Sequence, residues 1–141
     1  KEDVDRYRWL SFQFGYLYRD ERTHGSEFDL KGNTILGFFN VPLPMRFSFD
    51  FLSEFTWDDY SNPSLLDFRG NKRADFIQHY GFGLTYILVG RGEVTTMPSL
   101  DVRLRGGVDI YFQDSNIWNR LHEKVYSFDR AIYGMQMAIT F

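Results

Sequence analysis

The residues of this chain that could do chemistry are few and scattered. Its three histidines, His24, His79 and His122, fall on three different stretches. In His24-Gly-Ser26 a histidine stands two positions from a serine. A nucleophilic hydroxyl needs a His base at about 3 Å, held in turn by a carboxylate. The following residue is Glu27, no third group is evident, and the stretch is charged and turn-rich, so ordinary loop residues are the simpler account. His79 and Asp75 share one side of a two-residue period. They would make a proton relay or, more simply, a histidine satisfied by its neighbours. The histidines lack ligand spacing and the chain has no cysteine, so neither a metal site nor a disulfide is expected. Gly90-Arg-Gly92 is too short for a phosphate loop and no helix pattern follows it, so no cofactor is expected either. The largest set of charges is Asp50, Glu54, Asp101, Arg103, Arg105, Asp109 and Arg130, with His79 beside them. Each lies in a stretch that alternates polar with large apolar residues. Such a set is either a self-neutralising network or the lining of a polar conduit. Both signs are present, so selectivity for anions or cations is not supported.

The elements that must position these groups are strands. Residues 7–19 place Leu10, Phe12, Phe14, Tyr16 and Tyr18 on one side and Ser11, Gln13 and Gly15 on the other. A second strand is expected at 28–40, with Phe28, Leu30, Leu36 and Phe38 on the apolar side and Asp29, Lys31 and Asn33 opposite. Residues 45–57 set Met45, Phe47, Phe49, Phe51, Phe55 and Trp57 against Arg46, Ser48, Asp50, Glu54 and Thr56. A fourth strand over 75–89 sets Tyr80, Phe82, Leu84, Tyr86 and Leu88 against His79, Gly81, Gly83 and Thr85. A fifth over 98–113 sets Leu100, Val102, Leu104, Val108, Ile110 and Phe112 against Asp101, Arg103, Arg105, Gly107, Asp109 and Gln113. The sixth, 125–141, carries Tyr133, Met135, Met137, Ile139 and Phe141 on one side and Gly134, Gln136, Ala138 and Thr140 on the other. The connections are expected to alternate long and short, with tight turns after the second and fourth strands. Trp118 and Tyr60, expected in the longer loops, could stack on a sugar or cover one end of the sheet.

One domain over 1–141 fits the length. Hydrophobic residues are 43% of the chain, yet mean hydropathy is -0.38, so apolar and polar residues are interleaved throughout. No stretch approaches the roughly 18–20 apolar residues of a spanning helix. Aromatics reach 19%, and 15 Phe with 9 Tyr and 3 Trp need a surface that tolerates rings. A net charge of -3 gives nucleic acid no footprint to bind. The opening Lys1-Glu-Asp-Val-Asp5 holds no signal peptide, so a secreted chain would be in its mature or trimmed form. Alternation alone does not say whether the apolar rows face a dry core or lipid. Three features favour lipid. The strands are long, the polar rows mix small residues with Arg, Asp and Glu, and Trp9, Tyr18, Trp57, Tyr86, Tyr126 and Tyr133 gather toward strand ends, as interfacial belts do. The lipid-facing set is then Phe12, Phe14, Phe47, Phe49, Phe51, Phe82, Leu84, Leu104, Val108, Met135, Met137 and Ile139.

Several motifs carry a resemblance to known barrels. The alternating stretch from Tyr133-Gly134 to the aromatic Phe141 resembles the closing strand and assembly signal of bacterial outer-membrane β-barrels. Tyr80-Gly-Phe-Gly-Leu-Thr-Tyr86, Gln113-Asp-Ser-Asn-Ile117 and Tyr126-Ser-Phe-Asp-Arg130 extend the likeness over 75–141. That span resembles the last three strands of larger barrels, such as surface-lipoprotein assembly modifiers and polysaccharide-export porins. The resemblance implies an antiparallel transmembrane β-barrel in a Gram-negative outer membrane, with both termini periplasmic. It implies a non-enzymatic channel, export pore or structural subunit, in contact with outer-membrane lipid and with other barrel or envelope-complex subunits. His24-Gly-Ser26 is similar to the His-x-Ser pair of the small lipid A deacylase barrels, which makes a lipid-modifying enzyme the first alternative. A soluble lipocalin-like carrier is the second. Six strands are too few for a closed barrel with a packed interior, for which about eight is the lower limit. Either a hairpin lies hidden near Ser64–Arg69, or the chain is part of a larger barrel, or several chains close together.

Overall fold

The structure is a computed structural model that describes residues 10–23 and 28–141. Within them the chain forms six strands: β1 (Ser11–Glu21), β2 (Leu30–Pro42), β3 (Phe47–Pro63), β4 (Lys72–Val89), β5 (Asp101–Ser115) and β6 (Phe128–Thr140). They make one sheet in chain order, each strand antiparallel to the next. Among the described residues there is no α-helix, and residues 64–71 join β3 to β4 without a further hairpin. The fold is therefore all-β and open: β1 and β6 are its two edges, and the sheet is not closed into a barrel. Trp9 and the rest of the stretch ahead of Leu10, like His24, Ser26 and Glu27, lie outside the described residues.

Directly paired residues in a sheet share a face, so the register sorts the side chains. One row of paired residues runs Phe12, Phe39, Phe51, Phe82, Val108, Tyr133. Two positions along, Phe49 and Leu84 lead to Gly106 and Met135, and the next row takes Phe47, Tyr86, Leu104 and Met137. The alternate residues form the opposite, polar face. Its rows include Asp50, Gly83, Gly107 and Gly134, and likewise Glu54, His79, Tyr111 and Arg130.

Four expectations need correction. The phase of β2 is the reverse of the expected one. Leu30, Leu36 and Phe38 stand on the polar face, while Lys31 and Asn33 stand on the apolar face, opposite Asp59 and Trp57. Residues 35–39 are apolar on both sides, so periodicity does not choose a phase there and the neighbouring strands do. This phase puts Ile35 against Phe55 and Phe39 against Phe51, lets the Thr34 and Thr56 hydroxyls bond at 2.8 Å, and sets Leu36 beside Gly15. Phe28 lies ahead of the strand. Second, Met45 and Arg46 belong to the β2–β3 turn, with φ of 60° and 67°, and β3 starts at Phe47. Third, the β4–β5 connection spans residues 90–100, against 64–71 for β3–β4, so the long-short alternation fails there. Successive turns fill it, closed by Gly92 N–H donating to Pro98 O at 2.8 Å; Pro98, with no amide donor, cannot extend the ladder, and Leu100 precedes β5. Fourth, Tyr133 lies in the middle of β6 opposite Val108, not near an end.

Candidate functional site on the polar face

The polar face is held together by ion pairs that reach over glycines. Neighbouring strands stand about 4.8 Å apart, so groups two strands away meet only if the intervening residue is small. Asp50 of β3 accepts bonds from Arg105 of β5 at 3.3 and 2.5 Å, across Gly83 of β4. A Cβ on Gly83 would lie 2.2 Å from Asp50 Oδ2. Arg19 of β1 donates to both oxygens of Asp58 on β3, at 2.8 and 2.7 Å, across Gly32 of β2. A Cβ on Gly32 would stand 2.4 Å from Asp58 Oδ1. Two glycine gaps thus fix two guanidinium–carboxylate pairs.

Other charges pair along their own strand. Arg103 donates to Asp101 at 2.7 and 2.8 Å, and Arg91 lies 3.9 Å from the same carboxylate. Arg73 forks onto Asp75, which also accepts from Gln113 at 3.0 Å. The Arg73 guanidinium is sandwiched between rings, 3.7 Å from the Tyr126 centroid and 4.5 Å from that of Tyr60. His79 Nε2 lies 3.0 Å from Asp109, and its ring stacks on Tyr111 at 4.1 Å. Arg130 covers the same Tyr111 ring at 4.9 Å. The expected His79–Asp75 relay is therefore absent, because Asp109 on the next strand is the nearer acceptor and Asp75 is already taken by Arg73.

All eight polar residues singled out in the sequence, Asp50, Glu54, His79, Asp101, Arg103, Arg105, Asp109 and Arg130, fall on this one face. The twelve apolar ones fall on the other. Glu54 carries no hydrogen bond or ion pair to a described residue. Asp58, Arg73 and Tyr111 belong to the face as well; the sequence reading puts Asp58 and Arg73 in a loop over 58–74, whereas β3 runs on to Pro63 and β4 starts at Lys72, and it leaves Tyr111 out. The alternation that carries Asp50, Glu54 and Thr56 extends to Asp58, and that of Asp109 and Gln113 passes through Tyr111, so both are legible in principle. Arg73 needs the tertiary contact with Tyr126.

Burial divides the two faces. Every buried strand residue, from Leu30, Asp50 and Thr56 to Asp101 and Ser115, stands on the polar face. Asp58 and Asp75 are each 4% exposed, whereas Phe12, Phe14 and Tyr133 are 68%, 69% and 80% exposed. Only Leu30 and Ile117 are buried hydrophobics among the described residues. Asp50, Asp58, Asp75 and Asp101 are sheltered, the rings of the edge strands are bare, and those of β3 such as Phe49 and Phe51 are half-buried. Comparisons with protein-family models, with curated proteins and with solved structures return no match.

At the end of the sheet formed by 64–71 and 116–127 the connections are ordered. Ala74 N–H donates to Asn116 Oδ1 at 2.8 Å and Asn116 Nδ2 donates to Lys72 O at 3.0 Å; Phe68 lies against His122, their centroids 5.8 Å apart. A shallow groove of about 530 Å³ there is lined by Trp57, Phe76, Trp118, Asp59, Asp114 and Lys124, among others. Lys124 bonds Asp114 within it. Tyr60 is a β3 residue beneath Arg73 and does not line the groove, so the two aromatics expected in loops do not form one surface. Among the described residues no three His, Asp or Glu side chains gather as a metal site would require.

Proposed function

We propose that this chain is wall of a transmembrane β-barrel in a Gram-negative outer membrane. Its Phe- and Met-rich face meets lipid, and its ion-paired face lines the interior of a channel, export pore or structural subunit. The observation that carries the reading is the inverted burial. A sheet stable in water hides its aromatic rows and hydrates its charges. Here Asp50, Asp58 and Asp75 are sheltered while Phe12, Phe14 and Met135 are bare. Lipid is the solvent in which that arrangement is favourable, since the rings lose nothing there and the charges keep their partners. β3 and β4, at 17 and 18 residues, also exceed the roughly 9–11 that cross a bilayer at a tilt. In this placement 64–71 and 116–127 face outward, while 43–46, 90–100 and both termini face the periplasm.

Membrane fractionation tests the placement. The protein should resist extraction by carbonate and high salt and be released by detergent; recovery in buffer alone would sink it. Conductance of the purified protein across a planar bilayer then separates the two roles. Steps of current indicate an open pore, and a silent bilayer containing folded protein indicates a plugged structural subunit.

A further inference from the structure

The shallow groove beside Trp57 lies on the ring-bearing face, where β3, β4 and β5 run into the 116–127 connection. Its floor is Trp57 and Phe76, directly paired across β3 and β4, with ring centroids 5.3 Å apart and planes 26° from parallel. Trp118 adds a third ring, and Asp59, Asp114 and Lys124 supply the charge. We propose that this groove binds a saccharide, one pyranose ring lying against the Trp57, Phe76 and Trp118 rings with its hydroxyls bonded to Asp59 and Asp114. The groove is built by β3, β4, β5 and one connection. It is therefore independent of whatever adjoins β1 or β6, and of the membrane placement, which only sets it at the outer surface.

The rings are held in place without a ligand. Trp118 forms a β-bridge with Lys124, Asn119 N–H donates to Glu123 O at 3.0 Å, and Val125 N–H donates to Ile117 O at 2.9 Å, which makes a small hairpin of the connection. Ile117, with no exposed surface, anchors that hairpin, and Asn116 ties it to β4 through Ala74 and Lys72. Trp57 and Trp118 nonetheless leave 41% and 37% of their surface open. Rigid rings that stay uncovered beside a few polar groups are the usual make-up of a small-molecule site.

The polar groups select the class of ligand. Asp59 is exposed and has no hydrogen bond or ion pair to a described residue; Lys31 stands opposite it on β2 without pairing. Neither the Trp57 nor the Trp118 indole N–H donates to a described residue. Asp114 accepts from Lys124 and Ser127, and a carboxylate with about four acceptor sites has room for more. The groove thus offers acceptors and donors together over an apolar floor. A hydroxyl uses both, and a pyranose carries several around a ring whose C–H faces are apolar. A phosphate would meet Asp59 and Asp114 with Lys124 already taken, like charge against like. An ammonium would engage the carboxylates and leave both indole donors unserved. Trp118 thus finds its ring partners in the strand residues Trp57 and Phe76, not in Tyr60.

Calorimetric titration of the full chain, in a detergent without a sugar headgroup, tests this with maltohexaose and chitohexaose as probes. At least one should bind saturably with a Kd of about 1 mM, as a few contacts in an open groove give. Trp118→Ala and Asp59→Asn should each weaken that binding about tenfold. Asp59→Asn keeps the shape of an exposed side chain, so it decides the matter if Trp118→Ala fails to fold. Phe12→Ala, which removes an equally bare ring on β1, should change nothing. Three outcomes would each overturn the proposal: no saturable binding of either probe up to about 50 mM, binding undiminished in Asp59→Asn, or equal binding of choline or inorganic phosphate. Saccharide binding by protein recovered in buffer alone would uphold the groove while the membrane placement fails. A detergent-extracted protein that ignores both probes would sink the groove and leave that placement standing.

Discussion

Asp50 and Arg105 belong to strands that do not touch, and only the missing side chain of Gly83 lets them meet. Removing either the charge or the gap should therefore undo the same interaction. Asp50→Asn is expected to cost about 1.5 kcal/mol, the low end for charge-assisted bonds, because Arg105 is half-exposed and water recovers part of the loss. Gly83→Ala should cost a similar amount. The double variant should cost little more than either alone in urea unfolding from lipid vesicles, as coupled positions do. Fully additive losses would mean that Gly83 acts through something other than this pair. On the opposite face Phe82 sits within the central ring row, 5.0 Å from Phe51. Phe82→Arg should cost about 2–4 kcal/mol if that face meets the middle of a bilayer. A change within about 0.5 kcal/mol, usual for an exposed position in water, would argue against lipid there.

Arg73 ties the 116–127 connection to β4, gripping Tyr126 from above while its own carboxylate partner Asp75 is held by Gln113. Arg73→Ala should loosen that connection without unfolding the sheet. Tryptic cleavage after Arg120 is expected to speed up roughly tenfold while the strands stay protected, since local opening follows loss of local contacts. Cleavage at the rate of the unaltered protein would show that the Asn116 bonds alone hold the connection. Strand order, alternation and the faces of β1, β3, β4, β5 and β6 are all legible in the amino-acid order, because each strand carries one row of rings against one polar row. β2 is not. Its apolar run lacks a period, and Leu36 filling the space beside Gly15 is information from another strand. The 90–100 connection is not legible either, since the alternating pattern around Leu100 continues past the point where Pro98 has already ended the ladder.

At the scale of the molecule the backbone edges of β1 and β6 are the groups that a lipid surrounding requires to be covered. Hydrogen exchange in membranes reports on this directly. If the sheet is part of a closed barrel, the β6 amides should exchange as slowly as those of β4. Fast exchange at every second β6 amide would identify a free edge. Conductance, measured on the same preparation, tells whether the paired charges leave room for solute.

Outside β2, alternation in the amino-acid order was sufficient to divide the strands into a ring-bearing face and a charge-bearing face, because a pleated strand has no freedom in where successive side chains point. Which charges meet was decided only in three dimensions. Asp50 with Arg105, Arg19 with Asp58 and His79 with Asp109 join groups on different strands, and the first two encounters depend on the gaps left by Gly83 and Gly32 as well as on register. The same is true of burial: no count of apolar residues reveals that the carboxylates lie on the sheltered side, since that follows from how side chains crowd over a face, not from their type.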